Sequence, residues 1–222
     1  MVGLWTAPEF IYTKLRMTIR LHRGDLPDIS PYSGAVAIDT ETMGLDLNRD
    51  RLCVVQLSPG DGSADVVQIA PHAGADSAPN LKRLLTDPKL LKIFHFARFD
   101  LGMLRKTFGV MAEPVFCTKI ASRLTRTYTD RHGLKDLVRE VLGQEISKQQ
   151  QSSDWGATAL SDAQISYAAS DVTHLHALKD KLEVMLAREG REELAAACFR
   201  FLPVRVRLDL AGFAADDIFA HS

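Results

Sequence analysis

Two carboxylates, Asp39 and Glu41, close a short apolar run, Ala-Val-Ala-Ile-Asp-Thr-Glu over residues 35–41. The run has the length and composition of a buried strand. Side chains alternate along a strand, so Asp39 and Glu41 share one face and Thr40 points to the other. Two acids this close repel in a poorly screened interior unless a cation or a proton lies between them, so the pair can hold a metal ion. A strand end with two solvated acids fits the same residues. Asp100 follows a second apolar run, Phe-His-Phe-Ala-Arg-Phe-Asp over residues 94–100, and falls in the first turn of a helix. The helix dipole favours an anion there without any metal role. Tyr167 and Asp171 are four apart in Tyr-Ala-Ala-Ser-Asp, on one face of a helix. The small residues between them let another element approach closely, where an acid needs a partner. The alternative is an exposed acid on the polar side of that helix. Four carboxylates without a Cys or His cluster form a hard oxygen set, suited to Mg2+ or Mn2+ rather than zinc.

These residues need elements to carry them. Residues 18–21 read as a short edge strand, and a turn-rich stretch leads from there into the strand at 35–41. Residues 52–58 and 65–69 follow as strands of an antiparallel meander, the second entered through the Pro-Gly-Asp-Gly turn at 59–62. A short helix over 80–85 precedes a buried strand over 92–96 and a helix over 98–108. A strand reached through a helix needs a crossover, so the sheet becomes mixed and helices cover its faces. From Cys117 the pattern turns helical, over 118–124, 133–142 and one long amphipathic run over 161–188, with Ser161 and Gln164 as a capping box. Residues 190–213 alternate like a strand in part but read better as helix. The fold class is therefore α/β, a mixed sheet flanked by helices with a helical C-terminal segment.

The 222 residues fit a single domain over 17–222. Residues 1–16 lack the continuous apolar core of a signal peptide and read as a tag or non-native extension, with Met17 a plausible initiator. No apolar stretch approaches the roughly 18 residues of a membrane span. Three separated cysteines, Cys53, Cys117 and Cys198, make no metal-type pair and fit a reducing, cytoplasmic setting as buried hydrophobes. A net charge of -1 argues against gripping long duplexes by bulk electrostatics but leaves short nucleic acids open.

The segments Asp39-Thr40-Glu41, His95 to Asp100 and Tyr167 to Asp171, in this order, resemble the three exonuclease motifs of the DEDD superfamily in its tyrosine subgroup. Ser153-Asp154-Trp155 resembles the ribonuclease D motif that precedes the third site. The resemblance implies a ribonuclease H-like fold and a metal-dependent 3′–5′ exoribonuclease. Its two divalent ions, Mg2+ or Mn2+, would be held by Asp39, Glu41, Asp100 and Asp171, and Tyr167 would orient the attacking water. With the chain ending at Ser222, the downstream helical nucleic-acid-binding domains of full-length ribonuclease D are not expected. The short form resembles the nanoRNase C group, which removes very short RNAs. That likeness implies short single-stranded RNA as partner, dinucleotides favoured, nucleoside 5′-monophosphates as products, and a homo-oligomer, possibly a ring.

Thr42, Met43 and Leu45 form the turn after the first acids, where members of the family wedge a residue against the terminal base; packing of the turn is the plain alternative. His95 reads as a polar neighbour of the site rather than a ligand. Arg123, Arg126, Arg131, His132 and Lys135 form a basic cluster that meets phosphate, a neighbouring subunit or only solvent, the last favoured. Trp155 reads as core. Two other functions stay open: general trimming of longer RNA such as tRNA 3′ ends, and a non-catalytic nucleic-acid-binding module.

Overall fold

The computed structural model describes residues 17–147 and 149–221. The expected extension over residues 1–16 lies outside the described residues. In chain order the elements are β1 (Thr18–Arg23), β2 (Ala35–Thr42), β3 (Leu52–Ser58), β4 (Ser63–Gln68), α1 (Pro79–Thr86), β5 (Leu91–Phe94) and α2 (Ala97–Phe108). They continue with β6 (Val115–Cys117), α3 (Thr118–Thr125), α4 (Leu134–Leu137), α5 (Asp162–Thr173), α6 (Leu175–Arg188) and α7 (Glu192–Leu208). The last turns of α4 and α7 widen into π-type turns over Val138–Leu142 and Asp209–Phe213.

The six strands form one mixed sheet in the order β1-β4-β3-β2-β5-β6. The meander β2, β3, β4 is antiparallel as its tight turn predicts, while β1, β5 and β6 join parallel to their neighbours. Strand alternation sends Val36 and Ile38 into a core with α1 and α2 on one face, and Ala37 into a core with α5 and α6 on the other. All of β3 is buried, because both faces of the central strands are covered. Among the described residues, no helix is long and apolar enough to cross a membrane.

The long run over 161–188 is two helices rather than one, broken at His174. The break lets α5 cross β2, β3 and β4 while α6 turns toward β5 and packs on α3 and α7. A sequence that stays amphipathic on both sides of a bend hides the bend. The strand expected to reach residue 96 ends at Phe94, and Phe96 adopts a left-handed conformation, φ 71°, that starts α2. Three-residue β6 escapes periodicity altogether. Two members of the basic cluster are not on a solvated face: Arg126 is buried and pairs with Glu140, and His132 is buried against the Ser122 hydroxyl, 2.9 Å away. Cys53 and Cys117 are buried as expected, whereas Cys198 is half-buried.

The C-terminal helix is fastened to the start of α2. Arg98 donates to both carboxylate oxygens of buried Asp209, at 2.6 and 2.8 Å, and to the Ala214 carbonyl at 2.9 Å. Arg205 adds an ion pair to the same Asp209 at 3.0 Å. Asp209 is thus a buried charge compensated from two helices, and the pair fixes the turn that carries Asp100.

Candidate active site

Three elements converge at the end of β2. Asp39 and Glu41 project from its α5-facing side, and the pairing with β3 shifts register between Glu41 and Thr42, a bulge of the kind that re-aims side chains at strand ends. Helix α5 crosses above, and its fully buried Ala168 and Ala169 bring the backbone close enough to deliver Asp171 to the strand. One carboxylate oxygen from each of Asp39, Glu41 and Asp171 lies within 4.8 Å of the others.

Asp100 comes from the opposite face of the sheet, on the first turn of α2. It accepts a hydrogen bond from Thr40 Oγ1 at 2.7 Å, the residue that alternation turns away from Asp39 and Glu41. Asp100 is buried and stands outside the close trio, yet its charge reaches both Asp39 and Glu41. The sequence placed all four acids together; the structure groups them as three plus one.

Burial dominates the electrostatics. It holds Asp39 well above the usual carboxylate range, with Asp100, Asp171 and Glu41 pushing in the same direction. Glu41 is pushed up to about 9 by burial and then by the charges of Asp171 and Asp100. Asp100 rises to about 7 by burial, opposed by the Thr40 hydrogen bond. Without a cation such a site keeps protons that isolated acids would lose. The arrangement fits a divalent ion: an all-oxygen donor set converges, and the mutual repulsion is what a cation would relieve.

Tyr167 is half-buried, hydrogen-bonded to Asp171, and its phenol is pushed up by burial and by the charges of Asp171 and Glu41. It stays protonated at neutral pH and serves as a donor. The Trp155 ring packs on it, centroids 6.0 Å apart. That tryptophan is set by the loop before α5, which is pinned where Arg51 donates to Gly156 O at 3.2 Å, Gln68 to Ala157 O at 2.9 Å and Gln164 to Asp154 O at 3.0 Å. The Ser161–Gln164 capping box then starts the helix as the sequence indicates.

The acids form the floor of a cleft of about 710 Å3. Thr42, Met43, Leu45 and His95 line it. Met43 is 60% and Leu45 85% exposed, unusual for large apolar side chains. Their loop is held from behind: Leu47 packs where Gly102 leaves room, and Lys106 donates to the Asn48 and Asp50 carbonyls at 2.9 Å each. Thr42 donates to the Gly44 carbonyl, and a Cβ at Gly44 would stand 2.3 Å from the Asp50 carboxylate, which would have to shift from its bonds to Arg49 and the Asp46 N–H. His95 Nδ1 lies 2.9 Å from Thr118 Oγ1, in keeping with a polar neighbour of the site. Sequence reading missed Phe96 and Lys119, whose ammonium lies 4.3 Å from the Phe96 ring centre on the cleft wall. Trp155 is core as expected and lines the cleft as well. Gln56 was missed too, although an amide inside Leu-Cys-Val-Val-Gln-Leu is itself a signal.

The profile of the 3′–5′ exonuclease family matches residues 26–187, a span that takes in every residue above that touches the acids. Ribonuclease D of Gluconacetobacter diazotrophicus is 41% identical over 162 residues, covering 73% of this chain and 40% of that protein. The chain thus spans about two fifths of the length of the curated relatives it matches. Brucella melitensis NrnC with bound Mg2+ is 61% identical, with a TM-score of 0.89 over 93% of this chain and 100% of that one. Brucella melitensis NrnC bound to pGG is 62% identical, with a TM-score of 0.90 over the same shares. The fold is ribonuclease H-like. The acidic trio under α5, with Asp100 beside it, therefore lies in a chain that belongs to the 3′–5′ exonuclease family, a DEDD exonuclease similar to NrnC and ribonuclease D.

Proposed function

We propose that this chain is a metal-dependent 3′–5′ exoribonuclease that hydrolyses short single-stranded RNA, dinucleotides above all, to nucleoside 5′-monophosphates. The observation that carries this is the convergence of Asp39, Glu41 and Asp171 within 4.8 Å on the floor of the cleft. Asp39, Glu41, Asp171 and Asp100 would hold two divalent ions, Mg2+ or Mn2+. When bound, these supply the positive charge that meets charge building around phosphorus and make water acidic enough to attack.

The chain's own residues do the rest. Tyr167 gives its one O–H to Asp171, which fixes the phenol's direction, and its oxygen would accept a hydrogen bond from the attacking water and so orient it. Water adds to the phosphorus of the last nucleotide and the P–O3′ bond breaks. The penultimate sugar then leaves with a 3′-hydroxyl, and the released nucleotide keeps a 5′-phosphate. Leu45 and Met43 offer apolar surface to a base, and Lys119 and Lys135 line the same cleft as the acids and can partner phosphate charge. A volume of about 710 Å3 falls within the roughly 300–1,000 Å3 of small-ligand pockets, which suits a substrate of very few nucleotides. Brucella melitensis NrnC was solved bound to pGG, and we take this chain to accept a ligand of the same kind. We take residues 17–222 as one exonuclease domain acting as a homo-oligomer in the cytoplasm.

Single-turnover cleavage of 5′-labelled RNAs from two to about seven nucleotides, in Mg2+, tests the reading. The dinucleotide is expected to be cut fastest. Even trimming at all lengths would indicate a general ribonuclease D-like exonuclease, and no cleavage at any length would leave a binding module.

A further inference from the structure

Gln56 sits at the centre of β3, with no exposed surface. It is the direct cross-strand partner of Asp39, and its Nε2 donates to Asp39 Oδ2 at 2.6 Å. Its other polar atom, Oε1, is buried and has no partner. The neighbours on the same sheet face are Val54 and Val66, under Ala168 and Ala169 of α5. An unpaired carbonyl in such a setting is costly, a cost that a methionine or leucine of similar size would not incur. Packing therefore does not explain an amide here. Its single hydrogen bond does.

We propose that Gln56 is a positioning residue of the metal centre, holding the Asp39 carboxylate through Oδ2 in the orientation in which it converges with Glu41 and Asp171. The inference rests on reading Asp39 as a metal ligand. An amide suits the task better than a lysine or arginine, because it orients a carboxylate without neutralising the charge that a cation is to use. Register enforces the contact: Asp39 and Gln56 are paired residues of one antiparallel ladder, so the donor cannot drift relative to the acid.

The test is thermal melting of the full chain, stripped with EDTA and then titrated with MgCl2 alone, for the unmodified protein, Gln56→Met, Gln56→Leu and Asp39→Asn. Gln56→Met and Gln56→Leu are expected to melt in EDTA no lower than the unmodified protein. The Mg2+ concentration that gives half of the stabilisation should rise about 10–100-fold. Turnover should recover in both variants as Mg2+ is raised to match. Asp39→Asn should show no Mg2+-dependent stabilisation. If Asp39→Asn still responds to Mg2+ like the unmodified protein, the metal reading itself fails. If Asp39→Asn loses the response while the Gln56 variants keep the original midpoint, only the role of Gln56 is overturned. Failure of both Gln56 variants to fold would also overturn it, by making the amide structural.

Discussion

Asp39→Asn is expected to lower exonuclease turnover by at least about 10³-fold while leaving the fold intact, which corresponds to roughly 4 kcal/mol of lost transition-state stabilisation. The two halves of this expectation have separate causes. Turnover falls because Asp39 converges with Glu41 and Asp171 on one proposed cation position and also feels Asp100. Stability is kept because asparagine has the same shape, its carbonyl oxygen still accepts from Gln56 Nε2, and one charge leaves a cluster of mutually repelling acids. The melting temperature in EDTA should therefore stay level or rise. Steady-state kinetics on a dinucleotide beside a melt of the same preparation checks both halves. A variant that loses activity by unfolding would point to a structural role for Asp39 instead.

In EDTA, stability is expected to fall by several kcal/mol as the pH rises from about 5 to about 9, and Mg2+ should flatten that slope. Glu41 ordinarily titrates near 4.5 and in the folded chain near 9, and Asp39 is raised as well. Between those values the folded chain holds protons that the unfolded chain has released, so raising the pH favours unfolding. Each unit of difference is worth about 1.4 kcal/mol, and for a chain of this size 1 kcal/mol shifts the melting temperature by about 2–4 °C. A drop on the order of 10 °C across the window is the expected reading. A bound cation replaces the protons, so the stabilisation by Mg2+ should grow with pH. The slope reverses at the acid end through Asp65. Hydrogen bonds from Arg20, Tyr32 and His22 outweigh its burial and hold it at about 2, so its contribution is whole above about pH 4 and is lost as the pH falls through 2. A flat profile in EDTA between pH 5 and 9 would show that the acids do not repel as their spacing requires.

Much of this site could be read in the chain because its signals are local. Alternation alone put Asp39 and Glu41 on one face and Thr40 on the other, and the same rule explains why Thr40 meets Asp100 from behind the sheet. The capping box at Ser161 and Gln164 marked where α5 starts, and four-residue spacing joined Tyr167 to Asp171. The parts that were not legible depend on partners distant in the sequence. Nothing near His174 announces that α6 will bend away from β3 and β4 to pack on β5, α3 and α7. Arg126 reads as one more surface cation until Glu140 is brought to it, fourteen residues on. The pairing of Gln56 with Asp39 becomes visible only once the register of β2 on β3 is fixed. Trp155 packs in the core and also borders the cleft, a combination that burial pattern alone cannot signal.

The proposed function requires Asp39, Glu41 and Asp171 to hold a catalytic cation, with Asp100 beside them. Anomalous diffraction from crystals of the protein grown in Mn2+ tests it directly. The expected result is a manganese peak in contact with carboxylate oxygens of Asp39, Glu41 and Asp171. A peak bound elsewhere, with this trio free of metal in a preparation that cleaves RNA, would contradict it.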